Sequence, residues 1–257
     1  MTHHFAPRQI RFFLTAPSPC PYLPGRNERK VFAHLPVADG ANVNDTLTQV
    51  GFRRSQNIAY RPSCEACDAC WSARIPVPDY AFSRSERRSL ERNSDLTRQI
   101  VPAQASMEQF DLLSRYLNAR HAEGGMAEMA WPDYVAMIED TAVKTQLVEY
   151  RVPSDTNPQG DLVACALVDV LADGLSLVYS FFDPDLPKRS LGSFMILDHV
   201  AQAKSGDLPK VYLGYWVKGS EKMAYKARFN PLEILRPGGW VLMSARDRAA
   251  EPAGQTA

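Results

Sequence analysis

Leu175-Ser-Leu-Val-Tyr179-Ser-Phe-Phe182-Asp183-Pro184-Asp-Leu-Pro187-Lys-Arg189-Ser-Leu191-Gly192-Ser-Phe194 is the stretch whose reading decides the fold. Leu175 to Phe182 is short, apolar and rich in aromatic residues, which predicts a strand. Pro184 and Pro187 break the chain. Leu191 to Lys204 then reads as a strongly apolar helix. Upstream, Ala172-Asp173-Gly174 is a hairpin turn that joins this strand to Asp161–Leu171. Gln146 to Val152 predicts one more strand before it, and Val211 to Trp216 a buried strand after the helix. Further back, Met107 to Ala122 carries Phe110, Leu113, Leu117 and His121 at helical spacing. Trp131 to Asp140 predicts a second helix, with Pro132 in its first turn. The order from Met107 is helix, helix, three strands, helix, strand, helix. That is an α+β order, in which a hairpin feeds a strand–helix–strand unit.

This order resembles the GCN5-related N-acetyltransferase-like (GNAT-like) fold. In that fold the helix after the central hairpin starts with backbone N–H groups that face a phosphate. Here the start is Pro187-Lys188-Arg189-Ser190-Leu191-Gly192-Ser193. Gly192 either admits a phosphate close to the backbone or serves packing. An acyl-CoA-dependent acetyltransferase would need a fuller glycine loop than Arg189-Ser-Leu-Gly192-Ser-Phe194 supplies.

The N-terminal part predicts an α/β subdomain. Gln9–Ala16 reads as a strand, Pro17, Pro19, Pro21 and Pro24 forbid regular structure, and Arg29–Leu35 can form a second strand. Asn44 predicts a helix N-cap before Asp45–Phe52. Arg54–Arg61 and Trp71–Val77 read as strands, and Ser83 or Ser85 caps a helix that runs to about Asn93. The expected division is a Cys/Arg-rich subdomain over 1–100, a GNAT-like domain over 101–245 and a disordered tail over 246–257.

Composition narrows the setting. Of 257 residues, 45% are hydrophobic and 23% charged, ordinary for a folded protein. No apolar run approaches a membrane span, and the start lacks a secretory h-region, so the expectation is a cytoplasmic protein with no membrane contact. The net charge is +0 but unevenly spread. Residues 1–98 hold 14 Lys+Arg against 9 Asp+Glu, and the rest hold 15 against 20. An arginine-rich N-terminal half can steer an anionic partner.

Two features carry chemistry. The first runs from Tyr212 to Pro231, where Tyr215-Trp216 is followed by Lys222, Tyr225, Lys226, Arg228 and Phe229. Cations bind phosphate and aromatic faces stack on bases, so the segment suits a nucleotide or an RNA end. An edge strand with a polar turn reads equally well. The second is Cys64-Glu-Ala-Cys67-Asp-Ala-Cys70. Three thiols in a short loop suit a zinc or iron–sulfur centre, with Cys20 the N-terminal candidate for a fourth ligand. A reduced, redox-sensitive loop is the alternative. Cys165 lies in an apolar run and reads as an inert core cysteine.

Several segments, in order, resemble one family. They are Cys20-Pro-Tyr22-Leu-Pro-Gly25-Arg26, Gly51-Phe52-Arg53-Arg54-Ser55, Tyr60-Arg61-Pro62, Ala73-Arg74-Ile75-Pro76-Val77, Tyr179-Ser-Phe-Phe-Asp183-Pro184, Ser190-Leu191-Gly192, Gly214-Tyr215-Trp216 and Lys222-Met-Ala-Tyr225-Lys226. The chain resembles the aminoacyl-tRNA–protein transferases from about residue 8 to 243, most closely the bacterial aspartate/glutamate leucyltransferases. The resemblance implies transfer of leucine from leucyl-tRNA to proteins with N-terminal Asp or Glu, which marks them for degradation. Arginine is the alternative amino acid, and a non-catalytic module that binds RNA or protein N-termini is the remaining rival. No cofactor is required for the chemistry, because the ester is already activated. Asp183, Tyr179 and Tyr225 are the implied catalytic residues. Arg189, Gly192, Tyr215, Lys222, Lys226 and Arg228 would bind the aminoacyl-tRNA end. Arg26, Arg61 and Arg74 are candidates to read the acidic N-terminus. The family's own cysteine pattern is not matched, since position 23 is Leu23, so Cys20, Cys64, Cys67 and Cys70 rest on spacing alone.

Overall fold

The computed structural model describes residues 10–120, 126 and 128–249. In chain order the elements begin with β1 (Phe12–Leu14), β2 (Ser18–Pro19), β3 (Asn27–Glu28), β4 (Lys30–His34) and α1 (Gly40–Gln49). Then come β5 (Arg53–Ser55), β6 (Ile58–Pro62), β7 (Cys70–Pro76), α2 (Arg84–Arg92) and β8 (Thr97–Pro102). The middle holds α3 (Met107–Arg120), α4 (Trp131–Glu139), β9 (Thr145–Val152), β10 (Asp161–Leu171) and β11 (Gly174–Phe182). The last elements are α5 (Leu191–Ser205), β12 (Lys210–Val217), α6 (Glu221–Ala224), β13 (Glu233–Arg236), β14 (Gly239–Leu242) and α7 (Ala245–Arg248).

The predicted order from α3 to α6 is the observed one, and the hairpin closes with Leu171 opposite Gly174. Period-two alternation sorts these strands' side chains to two faces. Val148, Ala164, Ala166 and Val168 pack with α5, while Leu147, Cys165 and Leu167 pack with α3 and α4. Cys165 is fully buried, as its apolar run implies. Helix α2 starts at Ser83, which accepts from the Glu86 N–H while Glu86 accepts from the Ser83 N–H, a reciprocal cap.

Three expectations are corrected. Helix α1 starts at Gly40, and Asn44 is buried within it rather than capping it; Val43, one turn in, joins the small apolar cluster of Leu35, Leu47 and Phe52. The boundary at residue 100 is not a boundary of the sheet. The eight-stranded sheet runs β14-β13-β7-β12-β11-β10-β9-β8, so β7 from the cysteine-bearing segment sits at its centre beside β12. What stands apart is the four-stranded sheet β1-β4-β6-β5. The expected disordered tail is partly ordered: Ser244 and Asp247 cap α7, Asp247 pairs with Arg236, and Arg248 donates to the Phe229 carbonyl. Residues 250–257 of that tail, and the expected helix end at His121 and Ala122, lie outside the described residues.

A buried ion pair ties the two sheets together. Arg54 donates from Nε and Nη2 to Asp169 at 2.6 and 2.7 Å, and the two side chains are each 1% exposed. Thr145 Oγ1 donates to the same carboxylate at 2.8 Å. β10 thus holds β5 in a fixed place, which sets up the site.

Candidate functional site

Strands β11 and β12 are parallel, and they pair only from Gly174–Lys210 to Ser176–Tyr212. Beyond that point β11 runs on to Phe182 and β12 to Val217 with no pairing between them. A bulge at Tyr212/Gly214 on β12 and the positive φ of Gly214 (81°) accompany the divergence. Arg53, carried in by β5, fills the gap. Its Nη2 donates to the Leu177 carbonyl, and its Nη1 lies 3.4 Å from Ser176 Oγ. The positive φ of residue 214 favours glycine, and a Cβ there would sit 3.0 Å from the guanidinium carbon and press on Arg53.

Aromatic side chains gather around this gap. Tyr179 is half-buried on β11, and Tyr225 is 38% exposed just after α6. Burial raises both phenols, Tyr225 to about 12, and Tyr116 of α3 adds to the rise in each. Tyr116 also packs on Phe182, with centroids 5.0 Å apart. At neutral pH these hydroxyls keep their protons and act as donors, which suits an ester carbonyl or an oxyanion. Asp183 closes β11. One carboxylate oxygen accepts from Arg115 Nη1 at 3.2 Å and the other from the Asp185 N–H at 3.0 Å. Asp183 is therefore placed to anchor a cation, and removing a proton with it means displacing Arg115.

The structure redistributes the predicted cations. Lys226 is 6% exposed, and its Nζ donates to the Tyr215 carbonyl at 2.7 Å. Burial, with Arg53 nearby, lowers its pKa to about 7. It is a core lysine, not a surface phosphate ligand. Lys222 and Arg228 are exposed. Arg189 makes two 2.8 Å contacts to Asp95 and lowers that carboxyl's pKa, so its charge is already engaged. A Cβ on residue 192 would meet the Phe182 ring at 3.1 Å, which makes Gly192 a packing glycine. Tyr215 is buried, and its hydroxyl donates to the Gly51 carbonyl at 2.8 Å, with the Tyr60 carbonyl at 3.0 Å.

The three arginines proposed for an acidic N-terminus separate. Arg74 is buried, bonded to Glu233 at 2.6 Å and stacked over Trp240 at 4.0 Å. Arg61 donates to the Val50 carbonyl and lies over Phe52. Arg26 is exposed, with no side-chain partner among the described residues, at a cavity of about 50 Å³. The same cavity is lined by Cys20, Cys64, Cys67 and Cys70, four thiols from two distant segments. Burial and then Cys67, Cys20 and Cys64 push the Cys70 thiol up to about 12, which reports their proximity. All four are free thiols, and no group of three or more metal-ligating side chains among the described residues has metal-binding geometry. Arg53, Arg115 and Tyr116 were not singled out as site residues from sequence. Arg53 lay in a quoted motif, whereas Arg115 and Tyr116 sit beside the apolar stripe of α3 and show no local signal.

A splayed parallel pair, flanked by two protonated tyrosines and the Asp183 carboxylate, offers hydrogen-bond donors and an anchor for a cation. The family model described as arginine-tRNA-protein transferase, N terminus, matches residues 18–88, and the C-terminus model of the same description matches 108–236. The chain is 73% identical over 252 residues to the aspartate/glutamate leucyltransferase of Caulobacter vibrioides, covering 98% of this chain and 90% of that one. It is 74% identical over 248 residues to that of Phenylobacterium zucineum, covering 96% of each. It is 56% identical over 240 residues to that of Parvibaculum lavamentivorans, covering 93% of this chain and 98% of the other. The chain belongs to the arginine-tRNA-protein transferase family, an enzyme family, in the branch of the aspartate/glutamate leucyltransferases. Among solved structures, the C-terminal domain of a putative lysylphosphatidylglycerol synthetase from Agrobacterium fabrum aligns with a TM-score of 0.46 and 16% identity, over 70% of this chain and 62% of that one. FemX aligns at 0.44 and 9%, over 72% and 62%. No helix among the described residues is long and apolar enough to cross a membrane.

Proposed function

We propose that the chain transfers leucine from leucyl-tRNA to the α-amino group of proteins that begin with Asp or Glu, in the cytoplasm, marking them for degradation. The observation that carries this reading is 73% identity along 98% of the chain to a protein of that name. The α-amine has a reference pKa of roughly 7.7–8.0, so a useful fraction is neutral at neutral pH. Its nitrogen attacks the ester carbonyl carbon. A C–N bond forms, the C–O bond to the terminal ribose breaks, the amine loses a proton and the ribose hydroxyl gains one. Positioning and oxyanion stabilisation suffice for this. Tyr179 and Tyr225 donate to the developing oxyanion, and Asp183 accepts a hydrogen bond from the incoming neutral amine. Lys222 and Arg228 contact phosphate of the tRNA end. Arg26 reads the acidic side chain, because Arg74 and Arg61 are engaged elsewhere.

A panel of peptides starting with Asp, Glu, Lys or Ala tests the acceptor side. Labelled leucine is expected on the Asp and Glu peptides alone, with Arg26→Ala raising KM for the Asp peptide roughly tenfold. Equal transfer to the Lys or Ala peptide contradicts the reading.

The cysteine cavity is proposed as the place of a zinc or iron–sulfur centre, held by Cys20, Cys64, Cys67 and Cys70. Its donor set suits such a centre, and the thiols would lose their protons on binding it. The chemistry above is not routed through it. Metal analysis of protein purified without oxygen tests this: near-stoichiometric zinc or iron, lost in Cys64→Ala and Cys67→Ala, is expected. Metal-free protein with full activity contradicts it.

A further inference from the structure

Helix α2 turns its arginines away from the core. Its inward face is set by Leu90, which packs with the α5 side of the sheet, by Glu86, which accepts from the Tyr80 hydroxyl, and by Asn93 at its end, which is buried. Arg84, Arg88 and Arg92, at i, i+4 and i+8, share the opposite face, and all three are exposed. Their Cα atoms are spaced about 6 Å along the axis, so the stripe is about 12 Å long. Arginines elsewhere on the surface sit in ion pairs, as Arg29 does with Glu65 and Arg98 with Asp198. Arg84 and Arg88 have no side-chain partner among the described residues. Glu91 is the one carboxylate on that side of the helix, and among the described residues it pairs with none of them. Like charges four residues apart destabilise a helix, so the face is suited to an anion from outside.

The stripe ends beside the transfer site. Arg92 Nη1 donates to the Lys188 carbonyl at 2.8 Å, and Asn93 Nδ2 to the Arg189 carbonyl at 3.0 Å. Lys188 is exposed and lies in the connection from Asp183 to α5, close enough in sequence to stand within about 18 Å of Asp183. At the other end, Lys204 of α5 reaches the Tyr80 carbonyl just before α2, so α2 runs back along α5 and away from the site. We propose that this stripe, with Lys188, holds the phosphate backbone of the duplex acceptor stem of the charged tRNA, a role that rests on the transfer reading above. The unpaired 3′ end then runs from Lys188 to Asp183 and the gap between β11 and β12. Single strands are held by aromatic faces on which bases stack. The aromatic residues nearest α2 in sequence, Tyr80 and Phe82, pack in the core or against it, so the stripe offers cations alone. A-form RNA is held by its shape and backbone, and phosphate contacts position it without reading sequence.

Two measurements test the assignment, both with Arg84→Gln/Arg88→Gln, which changes two exposed side chains outside the proposed transfer machinery. In the first, binding of uncharged leucine tRNA is followed across salt concentrations. The slope of log Kd against log salt should fall by about 2, one phosphate contact per arginine, and Arg84→Lys/Arg88→Lys should restore most of it. In the second, leucine is transferred to an Asp-starting peptide from whole leucyl-tRNA or from a leucylated CCA trinucleotide, which lacks the stem. In the glutamine variant kcat/KM should fall roughly tenfold with whole tRNA and keep the wild-type value with the trinucleotide. An unchanged salt slope, or equal losses on both substrates, overturns the assignment and leaves the transfer reading standing. A raised KM for the peptide, with tRNA binding unchanged, also overturns it and gives the stripe to an acidic protein surface. A wild type that transfers from neither substrate removes the transfer reading, while the salt slope still decides what the stripe binds. Should the wild type use whole tRNA but not the trinucleotide, the slope alone decides.

Discussion

Lys226 keeps its amine where a single carbonyl accepts from it and Arg53 is the neighbouring charge. Burial depresses its pKa from 10.5 to about 7. Between those two values the unfolded chain carries a proton that the folded chain does not, so stability rises with pH across that window. Below about 7 both states are protonated and the cost of burying the charge is complete. Lys226→Met removes this titration. The stability difference between wild type and variant, from urea denaturation, should therefore move in favour of wild type between pH of about 7 and about 10. A difference that stays flat with pH contradicts a buried, depressed lysine. No local pattern distinguishes Lys226 from Lys222, since both stand in one short polar segment. The destination of each side chain depends on β12 and Arg53, which come from elsewhere in the chain. Gly192 and Arg189 have the same history: their residue types suit phosphate, but contacts with Phe182 and Asp95 determine what they do.

Elements whose contacts are local could be read from sequence. The hairpin, α5 and the Ser83 start of α2 each follow from periodicity or capping within a few residues. The place of β7 could not, because its partners β12 and β13 lie far downstream and strand pairing leaves no local mark. The same holds for the join between the sheets, where Arg54 and Asp169 meet across 115 residues. That pair is dry and doubly hydrogen-bonded, so removing one partner leaves a buried charge. Asp169→Ala should cost about 3–5 kcal/mol in chemical denaturation, and the double variant Arg54→Met/Asp169→Leu should recover most of it. A single-variant cost below about 1 kcal/mol would mean that the pair does not hold β5 against β10.

At the scale of the whole molecule, the N-terminal sheet does more than stand beside the larger one. It delivers Arg53 into the gap between β11 and β12, and its β6 flanks the cavity where the cysteines and Arg26 meet Tyr215. Of the arginines that give residues 1–98 their positive excess, Arg53 reaches the gap and Arg26 the cysteine cavity. On the proposed function, this assembly passes leucine, not arginine, from tRNA to an acidic N-terminus. The direct test is a side-by-side measurement of kcat/KM for leucyl-tRNA and arginyl-tRNA on one Asp-starting peptide. Leucine transfer is expected, with arginine slower by at least about a hundredfold. Equal or faster transfer of arginine would contradict it.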